Sequence, residues 1–286
     1  MKDLYTITQV GEHVYNITEN ITDRPIKFAQ QLVVGEDKAA LIDASFGIDT
    51  DLIKVIRQVT TKPIICLLTH GDPDHTGGAS LFESVYMNPV DDKIMKAAFA
   101  PAERLHDVEI ASGHNQVLVA HMKEKMPTAA FFNYQPVQDG DRFDLGGITL
   151  QAVALPGHSK GSMCFVDAAN HYGFTGDSLA TAVMSELYDT RCASLTAWEN
   201  AIHQLRAIVG DQAKLFSGHR ADAFPAGSLT LLEKGIAEIK AGKTASDQQL
   251  TNMPNGAVKD TETMHPRAHR SENSPFIIMY NELNID

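Results

Sequence analysis

The chain opens on short alternations of apolar and polar side chains. Tyr5-Thr6-Ile7-Thr8 and His13-Val14-Tyr15-Asn16-Ile17 have the two-residue period of a half-buried strand. Gln31-Leu32-Val33-Val34 and Ala39-Ala40-Leu41-Ile42 are apolar runs separated by Gly35-Glu36-Asp37, a hairpin signal, and the second run ends at Asp43. Leu52, Ile53, Val55 and Ile56 predict a short amphipathic helix over residues 49–58. Pro63 then opens a buried strand, Ile64-Ile65-Cys66-Leu67-Leu68. Residues 90–130, rich in Ala, Met, Lys, Glu and His, predict helix. Strands return at 148–155, 162–166 and 172–174. The spacing of Leu195, Trp198, Ile202, Leu205 and Ile208 predicts a helix over 195–209. A short strand at 214–216 and a helix at 228–241 follow, then a polar, loop-like stretch from Thr244 to Pro275 and a closing apolar run, Phe276-Ile277-Ile278-Met279-Tyr280. That last run reads as an edge strand or a contact between two copies of the chain, since an exposed apolar edge would be a liability.

A weak internal echo runs through this order. In each half a strand ends in an Asp (Asp43, Asp177), a helix follows, and the next strand ends in a His (His70, His219). Two similar strand–helix–strand halves packed face to face would gather these polar residues at one rim, where layered folds place their sites.

Composition narrows the function classes. Among 286 residues, 24 are basic and 36 acidic, a formal charge of -12. That balance disfavours a nucleic-acid binder, which needs basic surface to displace counterions, and a polybasic membrane anchor. Three cysteines, Cys66, Cys164 and Cys192, are too few for a disulfide framework. With no apolar signal core near the N-terminus and no run of membrane-spanning length, the expectation is a cytoplasmic protein that uses neither nucleic acid nor membrane as partner.

The chemistry concentrates at His70-Gly71-Asp72-Pro73-Asp74-His75, directly after the buried strand. Gly, Asp and Pro favour turns, but a turn does not require two histidines flanking two aspartates. Three further residues each follow an apolar strand and a small residue or short turn. They are His158 in Pro156-Gly157-His158, Asp177 in Thr175-Gly176-Asp177, and His219 in Ser217-Gly218-His219. Glycine lets the backbone bend there and leaves the approach to a metal clear.

Taken together, these motifs resemble the metallo-β-lactamase superfamily: an early Asp, His-x-His-x-Asp-His, then His, Asp and His at later strand ends. The resemblance covers about Leu41 to His219. It implies an α/β fold, a four-layer αββα sandwich of two mixed β-sheets, forming a catalytic domain over residues 1–243. Residues 90–135 would be a helical insertion or lid, and 244–286 a C-terminal extension packed on the domain or on a partner subunit. It implies two divalent metal ions. His70, Asp72 and His158 would hold the first, and Asp74, His75 and His219 the second, with Asp177 bridging. Asp74 would be the catalytic proton shuttle, and Asp43 and Thr69 supporting residues.

One position departs from the family pattern: Asp72 stands where the second His is expected. A carboxylate oxygen reaches as far from Cα as an imidazole Nδ1, so ligation is retained. A harder ligand set shifts preference from Zn toward Fe or Mn. The function implied is hydrolysis of a small ester, thioester, lactone or phosphoester by a hydroxide held between the two metals. The alternative is a di-iron or mono-iron oxidoreductase on the same fold, related to the flavodiiron branch but without a flavodoxin domain. Tyr172, Tyr188 and Arg220, close in sequence to the ligands, are candidate substrate contacts. His106, His114, His121, Met122, Met126, Phe131 and Phe132 could shape a lid. His265-Pro266-Arg267-Ala268-His269-Arg270 is read as solvated basic surface. The partner expected is a small-molecule substrate, with a homodimer possible.

Overall fold

The computed structural model describes residues 4–129, 131–180, 182–185, 191–250 and 266–286. Strands β1 (Tyr5–Gln9), β2 (Val14–Glu19), β3 (Phe28–Val34), β4 (Ala39–Ile42), β5 (Ile64–Leu67), β6 (Val85–Met87) and β7 (Gln135–Pro136) lie side by side in that order. They pair antiparallel from β1 to β4 and parallel from β4 to β7. The chain continues through β8 (Arg142–Asp144), β9 (Thr149–Ala154), β10 (Met163–Asp167), β11 (Tyr172–Phe174), β12 (Ala182–Ser185) and β13 (Lys214–Phe216). The second sheet has the order β13-β11-β10-β9-β8, with β11 and β13 parallel and the rest antiparallel. These are the two large mixed sheets that the sequence implied.

Alternation along the strands builds the layers. On β4, Ala40 and Ile42 join Met163 and Phe165 of β10 in the core between the sheets. Their neighbours point outward. Ala39 and Leu41 meet Leu52 and Ile56 of helix α1 (Leu52–Ile56). Cys164 and Val166 meet helices α6 (Leu195–Val209) and α7 (Ser228–Lys240) through Trp198, Leu205, Leu232 and Ile236. Helix α6 starts where Ser194 accepts a hydrogen bond from Ala197 N and stops at Gly210, whose φ of 78° suits glycine. Between α1 and α6 lie α2 (Pro73–Thr76), α3 (Asp92–Ala98), α4 (Pro101–Ala111) and α5 (Gln116–Lys125). The last three make residues 92–125 largely helical, as the sequence predicts for 90–130.

A third, small sheet was not foreseen. Strands β14 (Gln248–Gln249), β15 (Pro266–His269) and β16 (Ile277–Asn281) join β12 in the order β12-β16-β15-β14. The closing apolar run is therefore a central strand, not an edge. Phe276, Ile278 and Tyr280 bury their apolar faces against α6 and α7. The basic stretch around residue 267 is corrected likewise. His269 is buried, with Nδ1 2.8 Å from Asp247 Oδ1, and Arg267 pairs with Glu282 at 2.8 Å. Neutralised by local carboxylates, this segment is structural packing rather than solvated surface.

Candidate metal centre

Every strand end that the sequence singled out opens onto one rim. Parallel β4 and β5 bring Asp43 beside Thr69 and His70, and parallel β11 and β13 bring Asp177 beside His219. The sheets are tied together there by Met163 N donating to Thr69 O at 2.8 Å.

Helix α2 orders the central motif. Pro73 takes its first position, where the missing N–H costs nothing, and Asp72 takes the N-cap position. A capping Asp ordinarily accepts from the first-turn amides, but Asp72 makes no such bond and turns its carboxylate into the site. Asp43 lies under the motif with φ +63°, a left-handed conformation that costs a β-carbon-bearing residue on the order of 1–2 kcal/mol. In that posture its carboxylate accepts from Thr69 N at 2.8 Å and from Thr69 Oγ1 at 2.8 and 3.0 Å, and faces His75 Nδ1 at 2.8 Å.

These contacts fix the imidazole tautomers. His75 Nδ1–H donates to Asp43, and His219 Nδ1–H donates to the Lys27 carbonyl at 2.9 Å. His70 Nδ1–H donates to Thr69 Oγ1 at 3.0 Å, the hydroxyl proton being spent on Asp43. Each ring is left with an Nε2 lone pair facing the rim, as metal-binding histidines require. Small residues keep the approach open. A Cβ on Gly218 would fall 2.4 Å from His75 Cε1, and one on Gly176 would fall 2.2 Å from Thr69 Oγ1.

The seven residues converge as two groups of donors: Asp74, His75, Asp177 and His219 in one, His70, Asp72 and His158 in the other. In the four-residue group, His75 Nε2 is 3.6 Å from Asp74 Oδ2 and 3.4 Å from Asp177 Oδ1. His219 Nε2 is 3.4 Å from Asp74 Oδ2 and 3.0 Å from Asp177 Oδ2. Ligands about 2.0–2.1 Å from a tetrahedral zinc ion stand about 3.4 Å from one another. Among the described residues, His75 Nε2 and Asp177 Oδ1 are buried without a hydrogen-bond partner. A bound ion is one of the few things that satisfies buried polar atoms left this way. The donor set and its spacing therefore fit a divalent metal.

Electrostatics supports the same reading. Burial alone would lower the His75 imidazole, but Asp177, Asp74 and Asp43 outweigh it and hold the group well above the ordinary histidine range. His219 is likewise pushed up to about 9, Asp177 outweighing burial. Burial would raise Asp177, yet His219 and His75 hold it well below the usual carboxylate range. The clustered carboxylates favour positive charge at this position, whether on the imidazoles or on a bound metal ion.

The three-residue group is different. His70 Nε2 and His158 Nε2 stand 3.4 and 2.9 Å from Asp72 Oδ2. The Arg191 guanidinium is also there, with Nη2 in an ion pair with Asp72 Oδ2 and 3.0 Å from His158 Nε2. Burial would raise the Asp72 carboxyl, but Arg191 and the two imidazoles hold it well below its usual range.

Sequence reasoning missed Arg191, which follows no strand and sits in no motif. It also missed Asp91, a fully buried carboxylate that accepts from Gly71 N at 3.1 Å, Ser159 Oγ at 2.6 Å and Gly161 N at 3.0 Å. Asp91 thus clamps the His70 and His158 loops together. A third residue, Asp107 on α4, is raised to about 6 by burial and by the nearby charges of Asp74 and Asp72. Only its distance in space, not in sequence, connects it to the site.

The expected substrate contacts divide. Tyr172 is 8% exposed and packs with His13 and Phe216 in the core between the sheets, because β11 turns its side chain inward. That placement corrects its assignment as a substrate contact. Arg220 lies beside His219 with its guanidinium 4.6 Å from the Phe224 ring centroid. Tyr188 lies outside the described residues. In the insertion, Met122, Met126 and Phe132 join hydrophobic clusters, and His121 Nε2 reaches Asp49 Oδ2 at 3.0 Å. Phe131 is 58% exposed, and His106 and His114 are also exposed. Buried Arg104 anchors the insertion beside the motif, donating to Gly77 O and Pro127 O at 2.9 Å each.

The sequence profile described as the metallo-beta-lactamase superfamily matches residues 31–219. The chain belongs to that superfamily. Its fold agrees: a metallo-beta-lactamase family protein from Thermus thermophilus superposes with a TM-score of 0.59 at 18% identity, covering 82% of this chain and 84% of that one. Among curated proteins, the lactamase-like protein ptaB of Pestalotiopsis fici is 29% identical over 205 residues, 68% of this chain and 55% of that protein. The acyl-coenzyme A thioesterase MBLAC2 of Bos taurus is 24% identical over 189 residues, 60% of this chain and 66% of its own length. The chain thus spans between about half and two-thirds of the length of these two relatives. The superfamily match covers every residue of the two donor groups.

Proposed function

We propose that this chain is a metal-dependent hydrolase acting on a small thioester or related ester. The observation that carries the reading is the four-donor group of Asp74, His75, Asp177 and His219, in which buried His75 Nε2 and Asp177 Oδ1 face each other at 3.4 Å with no hydrogen-bond partner among the described residues. Membership of the superfamily and similarity to an acyl-coenzyme A thioesterase support the substrate class.

Asp74, His75, Asp177 and His219 would hold the divalent ion. A divalent ion there supplies Lewis acidity toward a carbonyl oxygen and lowers the pKa of a water molecule. Asp74, whose Oδ2 stands 3.4–3.6 Å from two imidazole nitrogens, would also move a proton at the reacting centre. Asp43 and the Lys27 carbonyl keep His75 and His219 in the tautomer that offers Nε2. The helical segment anchored to Gly77 by Arg104 carries Asp107, which feels the charges of Asp74 and Asp72, and it would shape the entry to the site.

The iron-oxidoreductase alternative drew its case from Asp72 as a hard ligand. Asp72 is in an ion pair with Arg191, which counts against a di-iron site that uses it as a ligand.

The test is a panel of acyl-coenzyme A thioesters, simple carboxylic esters, lactones and phosphodiesters, assayed with the metal-free chain and after addition of Zn(II) or Mn(II). Metal-dependent release of free thiol from the thioesters, lost in Asp177→Ala, is the expected result. Turnover unaffected by a chelator would overturn the reading.

A further inference from the structure

The first donor group already holds a cation of the protein's own. One guanidinium nitrogen of Arg191 lies 3.0 Å from His158 Nε2 and in an ion pair with Asp72 Oδ2, and His158 Nε2 is itself 2.9 Å from that Asp72 oxygen. A cationic nitrogen thus stands against two of the three atoms that a first metal would need as electron-pair donors. We propose that Arg191 takes the place of the first metal ion, so that the chain holds one divalent cation, at Asp74, His75, Asp177 and His219. The inference rests on the metal-hydrolase reading for that second group alone.

Three arguments carry it. A guanidinium and a metal compete for the same lone pairs, and a metal must sit about 2.0–2.2 Å from each ligand. Both cannot be present, and like charges at that separation repel. Among the described residues His70 Nε2 has no hydrogen-bond partner, but one open imidazole does not hold a divalent ion. Arginine keeps its charge at every accessible pH, so no titration vacates the position.

The departure at residue 72 then has a cause. A histidine there would leave the Arg191 cation among neutral imidazoles. An aspartate supplies its counter-charge, and the pair is partly shielded, at 15% exposure for Asp72 and 30% for Arg191. Asp72 is a partner for arginine rather than a ligand chosen for a harder metal. The second group shows the opposite arrangement: its donors face one another, with partners on their outer sides in Asp43 and the Lys27 carbonyl.

Ion counting decides the matter without reference to turnover. The full chain is stripped with chelator, equilibrated with excess Zn(II), dialysed, and its zinc measured by mass spectrometry. The wild type should retain one ion per chain. Asp72→Ala should still retain one, while Arg191→Ala should gain a second, raising the count about twofold. Arg191→Gln, which keeps bulk without charge, replaces Arg191→Ala if that variant fails to fold. Two ions in the wild type, falling to one in Asp72→Ala, would overturn the proposal while leaving the hydrolase reading intact. An unchanged count of one in the folded Arg191 variants would also overturn it. A count of zero in the wild type would remove the metal reading and this inference together.

Discussion

His75 and His158 are both buried imidazoles that present Nε2 to an aspartate, yet their protonation moves in opposite directions. Burial lowers His158, and Arg191 adds to that lowering against the pull of Asp72. His75 is raised well above the ordinary range because Asp177, Asp74 and Asp43 outweigh burial. The residue type and the depth are the same, so the difference lies in local charge balance. Around His158 the protein has supplied its own cation. Around His75 it has clustered carboxylates that favour a positive charge. A ligand cluster is therefore not defined by donor count alone; it also needs an unmet positive charge.

The largest expected effect comes from removing the acidic excess. Asp177→Ala should abolish retention of the bound ion and lower hydrolysis by about three orders of magnitude, about 4 kcal/mol of barrier. Metal content and turnover measured on the same sample would check it. Asp177→Ala with full metal content would mean that the two halves are not distinguished by this residue.

Asp91→Ala should act on the arginine-balanced half through the fold. It leaves Gly71 N, Ser159 Oγ and Gly161 N without their acceptor in a buried setting. A loss of about 3–4 kcal/mol of stability is expected in denaturant unfolding. A loss below about 1 kcal/mol would show that the two loops hold together without the clamp.

Asp43→Asn should act on the other half through orientation. Asparagine keeps the shape but not the charge that fixes the His75 tautomer. Metal affinity should fall by about 10–100-fold with little change in melting temperature. Affinity within about twofold of wild type would show that His75 is held by packing alone.

The smallest effect is a control that touches neither half. Buried Glu19 accepts hydrogen bonds from Ser45 Oγ and Tyr5 Oη, and burial pushes its carboxyl up from 4.5 to about 7. The folded state therefore binds this proton more tightly than the unfolded chain does. The resulting stability is fully present below pH about 4.5 and is lost as pH rises through about 7. Glu19→Gln should flatten that dependence and stabilise the protein at pH 8 by about 1–2 kcal/mol, read as a higher melting temperature. The same slope of melting temperature against pH in both proteins would rule this out.

Much of this was legible in the chain before any coordinates. Helix α6 follows from the spacing of Leu195, Trp198, Ile202 and Leu205, closed by Ser194 and Gly210. The seven donor residues were assigned through the resemblance of their motifs to the superfamily; parallel pairing of β4 with β5 and of β11 with β13 carries most of them to one rim, and His158 arrives from the end of antiparallel β9. Tyr172 shows where nearness in sequence fails: it stands five residues before Asp177, but strand alternation sends it into the core. The closing strand shows the same limit, since its apolar face predicts burial but not which helices cover it.

What the sequence determined by itself was the local material of the site: strand ends, turns, and donors of the right kinds at the right places. Periodicity and turn chemistry act over a few residues, and that range sufficed for most of the strands and helices; the layers and the candidate ligand set came from the resemblance of the motifs to the superfamily. Only the tertiary structure decided which charges meet. Arg191 lies 119 residues from Asp72 in sequence, and Asp91 lies 68 from Ser159, yet each pair is in direct contact. Coulomb attraction and hydrogen bonding depend on separation in space, so nothing in the local pattern of either residue could announce that one half of the cleft was already neutral.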